Sequence, residues 1–411
     1  MTDVALKDRR GEGAALALVM LLGSLGASIA NIALPTLSAG FEVPFYQVQW
    51  VVIAYLAALT LCAVIAGRLG DRHGRKRMLL SGLAIFCAGS FACGIASSLP
   101  LLVAARVVQG IGAAFTVTLS MALVSQSNGG ASVGRALGLL GAMSALGTAL
   151  GPSLGGLLLS TTGWRGIFIC LVPLGMAAIV LVIRNVPDDG GQSRIKRGSG
   201  DWSVTSGMLR GMACNFLVAG VMMTTLVVGP FYLSVGLGLD SLATGLAMTV
   251  GPALSIAAGV PLGHGVDRWG TRWSVLAGLG VMGIGSIGLA VLPQVLGLFG
   301  YLAAIAVLTP GYQLVQAGNA AATMEAAGES RRGTAAGLLG LSRNLGLILG
   351  ASVMGAVFAL GAGTAELAAL TPVMVGDGLQ MVFAVASIMI AVAFWLSWKN
   401  PEPFRAQGVT G

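Results

Sequence analysis

Long apolar stretches, separated by short turns that carry most of the charged residues, dominate this chain. A helix needs about 20 mostly apolar residues to cross a bilayer core of roughly 30 Å, and its backbone groups are satisfied within the helix. The sequence therefore predicts an all-α integral membrane protein with twelve transmembrane segments, at residues 14–35, 48–67, 78–98, 100–124, 136–160, 165–184, 206–233, 241–262, 274–293, 297–322, 335–360 and 377–398.

The composition agrees with a chain that lies mostly in lipid, because 56% of its 411 residues are hydrophobic and only 9% are charged. The net charge is +8, but the cations occur in short bursts between apolar runs rather than along one face with aromatic residues. We therefore expect the lipid bilayer, and not nucleic acid, as a partner. The five cysteines lack metal-ligand spacing, so no metal or cofactor is expected.

The positions of Lys and Arg predict the orientation in the membrane, since cytoplasmic turns carry an excess of them. With the amino terminus in the cytoplasm, nearly all of the 23 Lys and Arg fall on the cytoplasmic side. We expect a multi-pass protein of the bacterial cytoplasmic (inner) membrane with both termini in the cytoplasm. The first segment is expected to stay uncleaved, because its apolar run is longer than that of a typical signal peptide.

A charged, glycine-rich turn occurs twice, at residues 67–76 and 263–272, and both copies lie between two apolar segments. A second pair of similar stretches, 134–141 and 333–340, has nearly the same offset. Internal repeats of this kind are typical of membrane proteins built from two equivalent halves. The predicted domains are two six-helix bundles at residues 1–184 and 205–411, joined by a polar cytoplasmic linker at residues 185–204.

Three motifs lie on the segments where one membrane-protein family carries them. They are the turn at residues 67–76, an arginine-containing run on segment four at residues 106–112, and a glycine-rich run on segment five at residues 147–156. With these motifs, the chain resembles the Major Facilitator Superfamily over nearly its whole length, and most closely its drug:proton antiporter branches. The resemblance implies a twelve-helix monomeric carrier that moves a small-molecule substrate by alternating access.

In that family, the carboxylate of the first turn latches the two halves together through the start of segment eleven. The resemblance therefore implies a conformational latch, formed by Gly67, Asp71, Arg72, Gly74 and Arg75 in the first turn and by Asp267 and Arg268 in its second copy. Glycines permit a tight reversal, a carboxylate accepts hydrogen bonds near a helix start, and cations favour the anionic cytoplasmic face. The alternative is a solvated turn that only sets the topology.

Segment five carries the motif that the family associates with antiport, with Gly147, Gly151, Pro152, Gly155 and Gly156. Three of these glycines follow one another at intervals of four residues and form a bare stripe on which another helix can pack, while the proline removes one helix hydrogen bond. We expect a tight but bendable seam between the two halves here. The alternative is ordinary close helix packing without any meaning for antiport.

Two arginines lie inside apolar segments, Arg106 in segment four and Arg343 in segment eleven. A guanidinium in the membrane is costly and normally faces a cavity or a partner. Gln109 lies one turn along the same face as Arg106. Alternatively, Arg106 extends to the headgroups near the end of its segment, and Arg343 serves the structure rather than a substrate.

The family arrangement places segments one, four, seven and ten around a central pathway. The resemblance therefore implies a substrate cavity with the polar residues Asn31, Arg106, Gln109, Asn215, Tyr232, Tyr312, Gln313, Gln316, Asn319 and Arg343. Such a surface can hydrogen-bond a mid-sized amphiphile and place an arginine opposite an anionic group. The alternative for each neutral side chain is a hydrogen bond between helices.

The acidic residues depart from the family pattern, because none of the 15 Asp and Glu falls in the middle of a predicted segment. In the drug:proton branches an aspartate of segment one takes the coupling proton, and the matching position here is Gly26. The usual proton carrier is therefore absent, and the coupling ion stays open.

Two functions follow from the resemblance. The first is secondary active efflux of small amphiphilic molecules, drugs or metabolites, by proton antiport through an unconventional site such as Asp71 or Arg106. The second is a uniporter or exchanger of an organic anion held by an intramembrane arginine, without proton coupling. An enzyme is not expected, because the sequence contains no metal cluster and no distributed Ser-His-Asp set. A channel is not expected either, because duplicated halves suit a rocking carrier.

Overall fold

The computed structural model of the chain describes residues 3–127, 131–188, 206–327, 332–364 and 370–399. These residues form helices throughout and contain no strand. The helices are α1 (Asp3–Ser28), α2 (Leu34–Gly40), α3 (Phe45–Val48), α4 (Trp50–His73), α5 (Arg75–Ile95), α6 (Leu99–Ser127), α7 (Ala131–Ile169), α8 (Leu171–Asn185), α9 (Ser206–Phe231), α10 (Ser241–Trp269), α11 (Thr271–Ala327), α12 (Arg332–Gly361) and α13 (Pro372–Trp398). A 3₁₀ turn, Asn31–Ala33, follows α1, and a π turn, Tyr232–Gly236, follows α9.

Within the described ranges, nine helices are long and apolar enough to cross a membrane. A tenth span is formed if the bent pair Leu146–Ile169 and Leu171–Asn185 counts as one crossing. The prediction of an all-α integral membrane protein is confirmed, while the count of twelve segments stays a prediction.

Large apolar side chains cover the outer surface, as lipid contact requires. Leu61, Ile284 and Phe299 are 74%, 66% and 80% exposed. A surface of this kind would be an aggregation hazard in water, but it matches a hydrocarbon environment.

Helix α11 is a pair of antiparallel segments. Its 57 residues would extend about 85 Å, which greatly exceeds a bilayer core. Gly297, with φ of 54°, interrupts the helix, and the chain turns back on itself there. The backbone of Gly278 then lies against Val315, and that of Gly285 lies against Leu308. We call the two segments the first and second parts of α11.

The two copies of the repeated turn have the same backbone conformation. Gly74 ends α4 with φ of 93°, and Gly270 ends α10 with φ of 80°. In each case the glycine N–H donates to the carbonyl oxygen four residues earlier, that of Gly70 at 3.0 Å and that of Val266 at 2.9 Å. Such positive φ values explain why both turns need glycine at this position. The turn therefore repeats in the structure as well as in the sequence.

The glycine stripe of α7 packs on α1 and not between the predicted halves. Gly147 lies against the backbone of α1 at Leu21, and Gly151 lies against Ser28. Gly155 continues the contact onto the 3₁₀ turn. In the C-terminal part of the chain, Gly346 and Gly350 of α12 pack in the same way on α9. The prediction that this stripe forms the seam between halves was therefore wrong, because the stripe fixes α7 to its neighbour α1.

The opposite face of α7 does reach the C-terminal part of the chain. The carbonyl oxygen of Pro152 faces Gly245 of α10. A Cβ atom added to Gly156 would lie 3.0 Å from the Cα atom of Gly245. The contact between α7 and α10 therefore depends on Gly156 and Gly245 having no side chains.

Further contacts between the N-terminal and C-terminal parts occur near Phe45. The Phe45 ring lies 4.4 Å from that of Phe231 and 5.3 Å from that of Phe358, measured between centroids. The side chain of Gln49 lies directly against the backbone of Gly355. We call this side of the molecule the Phe45 end and the side with the turn at Asp71 the Asp71 end. The Phe45 end is closed by these contacts.

The predicted division into domains at 1–184 and 205–411 stays a prediction. The linker predicted at residues 185–204 lies outside the described residues from residue 189 onward. Helix α8 ends at Asn185, next to the predicted boundary.

Candidate substrate cavity

A cavity of about 570 Å³ lies among α9, α10, the second part of α11 and α12, with smaller contributions from α1, α6 and α7. Its wall consists of Met20, Met121, Ser144, Thr148, Asn215, Met222, Thr225, Leu226, Ala247, Met248, Gly251, Pro252, Ser255, Tyr301, Ile305, Thr309, Tyr312, Gln313, Gln316, Asn319, Ala320, Leu339, Gly340, Arg343 and Leu347. This volume and this mixture of apolar, amide and hydroxyl groups suit a small amphiphilic molecule.

Six of the ten side chains predicted for the cavity are found in its wall: Asn215, Tyr312, Gln313, Gln316, Asn319 and Arg343. The other four, Asn31, Arg106, Gln109 and Tyr232, do not line it. The six residues come from α9, the second part of α11 and α12. On α11, Tyr312, Gln316 and Asn319 follow the spacing that places residues on one helical face.

The two asparagines hold helices together at the edge of the cavity. Nδ2 of Asn215 donates to the carbonyl oxygen of Leu339 at 2.8 Å and to Oγ of Ser342 at 3.2 Å, which joins α9 to α12. Nδ2 of Asn319 donates to the carbonyl oxygen of Gly211 at 2.9 Å, which joins α11 to α9. Both asparagines therefore line the cavity, as predicted, and also form hydrogen bonds between helices, which was the alternative.

The two glutamines also line the cavity and are half-buried. Nε2 of Gln313 donates to the carbonyl oxygen of Ser255 on α10 at 3.3 Å. Nε2 of Gln316 donates to the hydroxyl of Tyr312 at 2.8 Å. These bonds hold both amides in place before any ligand arrives, which reduces the entropy lost on binding.

Arg343 is the charged residue of the described cavity wall, and its side chain is exposed. No ion pair or hydrogen bond joins it to another described residue. No carboxylate is part of the described wall either. The cavity therefore has positive local charge and presents a guanidinium that can bind a carboxylate or carbonyl group.

Arg106 is fully buried between α1, α4 and α6 instead of facing the cavity. Nε donates to the carbonyl oxygen of Val51 at 2.7 Å, and Nη1 donates to the carbonyl oxygen of Gly26 at 3.0 Å. Nη1 also donates to Oε1 of Gln109. The guanidinium lies 4.2 Å from the ring centroid of Tyr55, in a cation–π contact. The cavity prediction for Arg106 was wrong, because its fork of donors ties three helices together.

Gln109 extends this buried network away from the cavity. Its Nε2 donates to Oγ of Ser90 on α5 at 2.8 Å. The hydroxyl of Tyr55 donates to the carbonyl oxygen of Gly23 at 2.7 Å, close to the arginine. The cavity prediction for Gln109 was therefore also wrong, since both ends of its amide are used inside the protein.

Gly26 occupies the position of segment one at which the family resemblance implies an aspartate. A Cβ atom here would lie 3.0 Å from the Phe86 ring and 3.3 Å from Oη of Tyr55. The absence of a side chain lets the backbone carbonyl approach Arg106 closely. A neutral carbonyl thus faces Arg106 at the position where the family resemblance implies a carboxylate.

Asn31 and Tyr232 also differ from their predicted positions. Asn31 is fully buried, and its Nδ2 donates to the carbonyl oxygen of Ser28 at 3.0 Å, which satisfies an acceptor at the end of α1. The hydroxyl of Tyr232 donates to the carbonyl oxygen of Pro293 at 2.9 Å, and its ring stacks on Tyr301. Tyr301 lies in the cavity wall, so Tyr232 supports that wall from behind.

The sequence prediction missed several residues of the wall. Segments one and four each supply one methionine, Met20 and Met121, where polar side chains were expected. The missed residues that carry a hydroxyl are Tyr301 and the serines and threonines Ser144, Thr148, Thr225, Ser255 and Thr309. Ser and Thr are common throughout membrane helices, so their identity alone does not show which of them face a cavity.

The predicted latch residue Asp71 pairs within its own turn. Its Oδ1 accepts from Nη2 of Arg75 at 2.9 Å and from Nε at 3.2 Å. Nη1 of Arg75 also donates to the carbonyl oxygen of Ala122, which attaches the turn to α6. Arg72 and Arg268 are exposed, and Gly67 and Gly74 lie at the end of α4. The side chains of Asp267 and of the first residues of α12 lie outside what the structure describes, so the latch stays a prediction.

The described side chains of His, Cys, Asp and Glu include no group of three that could hold a metal ion.

Comparison with known proteins agrees with this geometry. Residues 16–351 match the family described as the Major Facilitator Superfamily. The structure is similar to that of a bacterial homologue of the human lysosomal transporter Spinster, in an inward-facing and occupied conformation. The TM-score is 0.78 at 16% identity, over 95% of this chain and 96% of the other. At this identity the likeness supports the fold alone.

Two relatives share more sequence. The riboflavin transporter RibZ of Clostridioides difficile is 26% identical, over 83% of this chain and 86% of its own. The multidrug resistance protein Stp of Mycobacterium tuberculosis is 41% identical, over 39% of this chain and 30% of its own. The predicted family is thereby confirmed, and the chain is a transporter rather than an enzyme. It belongs to the Major Facilitator Superfamily of multi-pass membrane transporters.

Proposed function

We propose that the protein exports small amphiphilic molecules, drugs or metabolites, by alternating access. The observation that carries this proposal is the 570 Å³ cavity, whose wall combines methionines, tyrosines and amides. Because side-chain contacts close the Phe45 end, a substrate would reach the cavity from the Asp71 end in this conformation. Relatives that are named as a riboflavin transporter and as a multidrug resistance protein support a substrate of this size and class.

The proposed setting is the bacterial cytoplasmic membrane, with a monomeric protein and both termini in the cytoplasm. The basic turn at Arg72 and Arg75 supports this orientation, because such turns favour the cytoplasmic side. The Asp71 end is then cytoplasmic, and the cavity takes substrate from the cytoplasm.

For the driving force, we propose proton antiport with Asp71 as the coupling carboxylate. Arg106 is committed to its contacts between helices, and no acid lies in the described wall of the cavity. Asp71 is 43% exposed beside Arg75, in a turn that joins two long helices. Protonation of Asp71 would release its charge-assisted bonds to Arg75, and this offers a link between proton binding and helix movement.

The test uses purified protein in liposomes with an imposed pH gradient. Uptake of riboflavin, ethidium and carboxyfluorescein gives one neutral, one cationic and one anionic probe. We expect gradient-driven accumulation of at least one probe, its loss when the gradient is collapsed, and its loss in Asp71→Asn. The matched control is Asp377→Asn, which removes an exposed carboxylate on α13. Transport that is unchanged both by collapse and in Asp71→Asn rules out proton antiport through Asp71.

A second candidate function is supported by Arg343, which has no anionic partner among the described residues. Under this alternative the protein is a uniporter or exchanger of an organic anion. Carboxyfluorescein would then exchange without a pH gradient and be accelerated by the same anion on the opposite side. Loss of this exchange in Arg343→Ala, together with no effect of Asp71→Asn, would replace the first proposal.

A further inference from the structure

The orientation of three amides in the cavity wall is fixed by their partners. The amides of Asn215, Asn319 and Gln313 each donate to a backbone carbonyl oxygen. The acceptors are those of Leu339, Gly211 and Ser255, in the same order. A backbone carbonyl only accepts hydrogen bonds, so each amide must turn its NH₂ group toward it. The carbonyl oxygen of each amide therefore points the other way.

The described hydrogen bonds of these three residues all use the NH₂ group, and no described residue donates to their amide oxygens. The residues Asn215 and Asn319 are only 4% and 5% exposed, so little solvent reaches them. None of the three oxygens is among the fully buried polar atoms without a partner, so each keeps some accessible surface at the cavity, where a water or a ligand can donate to it. The wall is thus prepared for groups that donate hydrogen bonds.

Arg343 on α12 adds a preference for ligand groups that accept hydrogen bonds. Arg343 lines the same cavity as the three amides. Its unpaired N–H groups bind an anionic or carbonyl oxygen, and its charge disfavours a cationic ligand. Cationic ligands without N–H or O–H groups would satisfy neither part of the wall.

We infer that the cavity selects amphiphiles that carry both neutral N–H or O–H donors and an anionic or carbonyl acceptor. The donors satisfy Asn215, Asn319 and Gln313, and the acceptor binds Arg343. This inference rests on the proposed function only in taking this cavity as the substrate site. It makes these four residues determinants of specificity.

Four coumarin probes separate the two requirements. They carry either an amino or a dimethylamino group at one position, and either a carboxylate or its ethyl ester at another. Binding to the full-length protein in lipid nanodiscs is measured by probe fluorescence. We expect the amino carboxylate to bind most tightly, with about a tenfold loss on dimethylation, which removes the N–H donors. Esterification should also cost about tenfold, because the ester carbonyl still accepts from Arg343 but no longer carries the negative charge that strengthens this bond.

Variants assign each preference to its residue. Arg343→Ala should abolish the preference for carboxylate over ester and retain the preference for amino over dimethylamino. Asn319→Leu should abolish the preference for amino over dimethylamino and retain the preference for carboxylate over ester. Gln313→Met should act in the same direction, and its half-buried position makes a loss of folding less of a concern. The matched control is Gln380→Leu, which replaces an exposed amide outside the cavity.

Equal or tighter binding of the dimethylamino probes to the unaltered protein would overturn the inference, as would the absence of saturable binding by all four probes. Transport is measured separately in liposomes with the same compounds. Donor-selective binding without any transport would sink the proposed function and leave the selectivity intact. Transport of all four probes at equal affinity would sink the selectivity and leave the function intact.

Discussion

The carbonyl oxygen of Gly26 accepts a hydrogen bond from Nη1 of Arg106 at 3.0 Å, in the buried interior between α1 and α6. Position 26 has little room for a side chain, because a Cβ atom would lie 3.0 Å from the Phe86 ring. We expect Gly26→Ala to lower the stability of the protein by about 1–3 kcal/mol through overpacking. Thermal unfolding in detergent measures this change.

Phe86→Leu in the Gly26→Ala background provides space for the new methyl group, so part of the lost stability should return. The single Phe86→Leu variant is the reference for this comparison. An unchanged melting temperature in Gly26→Ala would show that Phe86 adjusts freely and that the contact is not tight.

The two intramembrane arginines should respond oppositely to the same substitution. Arg106→Met leaves the carbonyl oxygen of Gly26 and Oε1 of Gln109 without this donor, and each unpaired buried acceptor costs about 1–3 kcal/mol. We expect a marked loss of stability. Arg343→Met should change the stability by less than about 0.5 kcal/mol, because the Arg343 side chain is exposed.

The probe affinities of the same two variants complete this comparison. Arg343→Met should weaken binding of carboxylate probes, whereas the folded fraction of Arg106→Met should bind them normally. Normal stability of Arg106→Met combined with lost binding would place Arg106 in the substrate site after all.

Closure at the Phe45 end should depend on the close approach of α7 and α10. A leucine at Gly156 would collide with the backbone of Gly245 and Ser241. We expect Gly156→Leu to shift the population toward conformations that are open at the Phe45 end. Spin labels at the exposed positions Tyr46 and Leu360 should report a longer distance in this variant.

Gly280→Leu is the matched control for that experiment, because an added Cβ at Gly280 meets no atom within 4 Å. The label distance should not change in the control. An unchanged distance in Gly156→Leu as well would mean that this glycine contact does not determine closure.

A bulky residue at Gly340 should block the cavity without unfolding the protein. Gly340 lies in the cavity wall, and a Cβ atom there meets nothing within 4 Å. We expect Gly340→Trp to reduce substrate binding at least tenfold and to keep a melting temperature close to that of the unaltered protein. Fluorescence binding and thermal unfolding measure the two quantities.

Gly280→Trp carries the same substitution on an exposed face and should retain binding. If Gly340→Trp binds its probes normally, the described cavity is not the substrate site.

Helices and turns were predictable from the sequence, because their signals are local. The apolar lengths predicted membrane-spanning helices, although the count of twelve stays a prediction. The repeated Gly-Asp-Arg turn predicted two similar reversals, which occur at Gly74 and Gly270. The facing of side chains was less predictable, since a membrane helix is apolar on nearly every side and its polar pattern gives little information on rotation. For this reason the prediction placed Arg106 and Gln109 in the cavity, whereas in the structure both side chains are buried in the protein interior.

The second part of α11 is the exception that supports this explanation. Tyr312, Gln316 and Asn319 share one helical face, so their common direction could be inferred from spacing. An isolated polar residue such as Asn31 gave no comparable information. Its role at the end of α1 depends on where the helix stops, which the apolar pattern does not define.

The contact of Phe45 with Phe231 and Phe358 also affects whether protons and ions can leak across the membrane through this protein. Three hydrocarbon rings close one end of the protein, and none of them carries a group that can pass on a proton or hold an ion. Protons would leak through any carrier that contained a continuous chain of water molecules from one side to the other, and the cell would then lose the energy stored in its proton gradient. While these rings are in contact, a substrate can occupy the cavity without an open path for ions past Phe45.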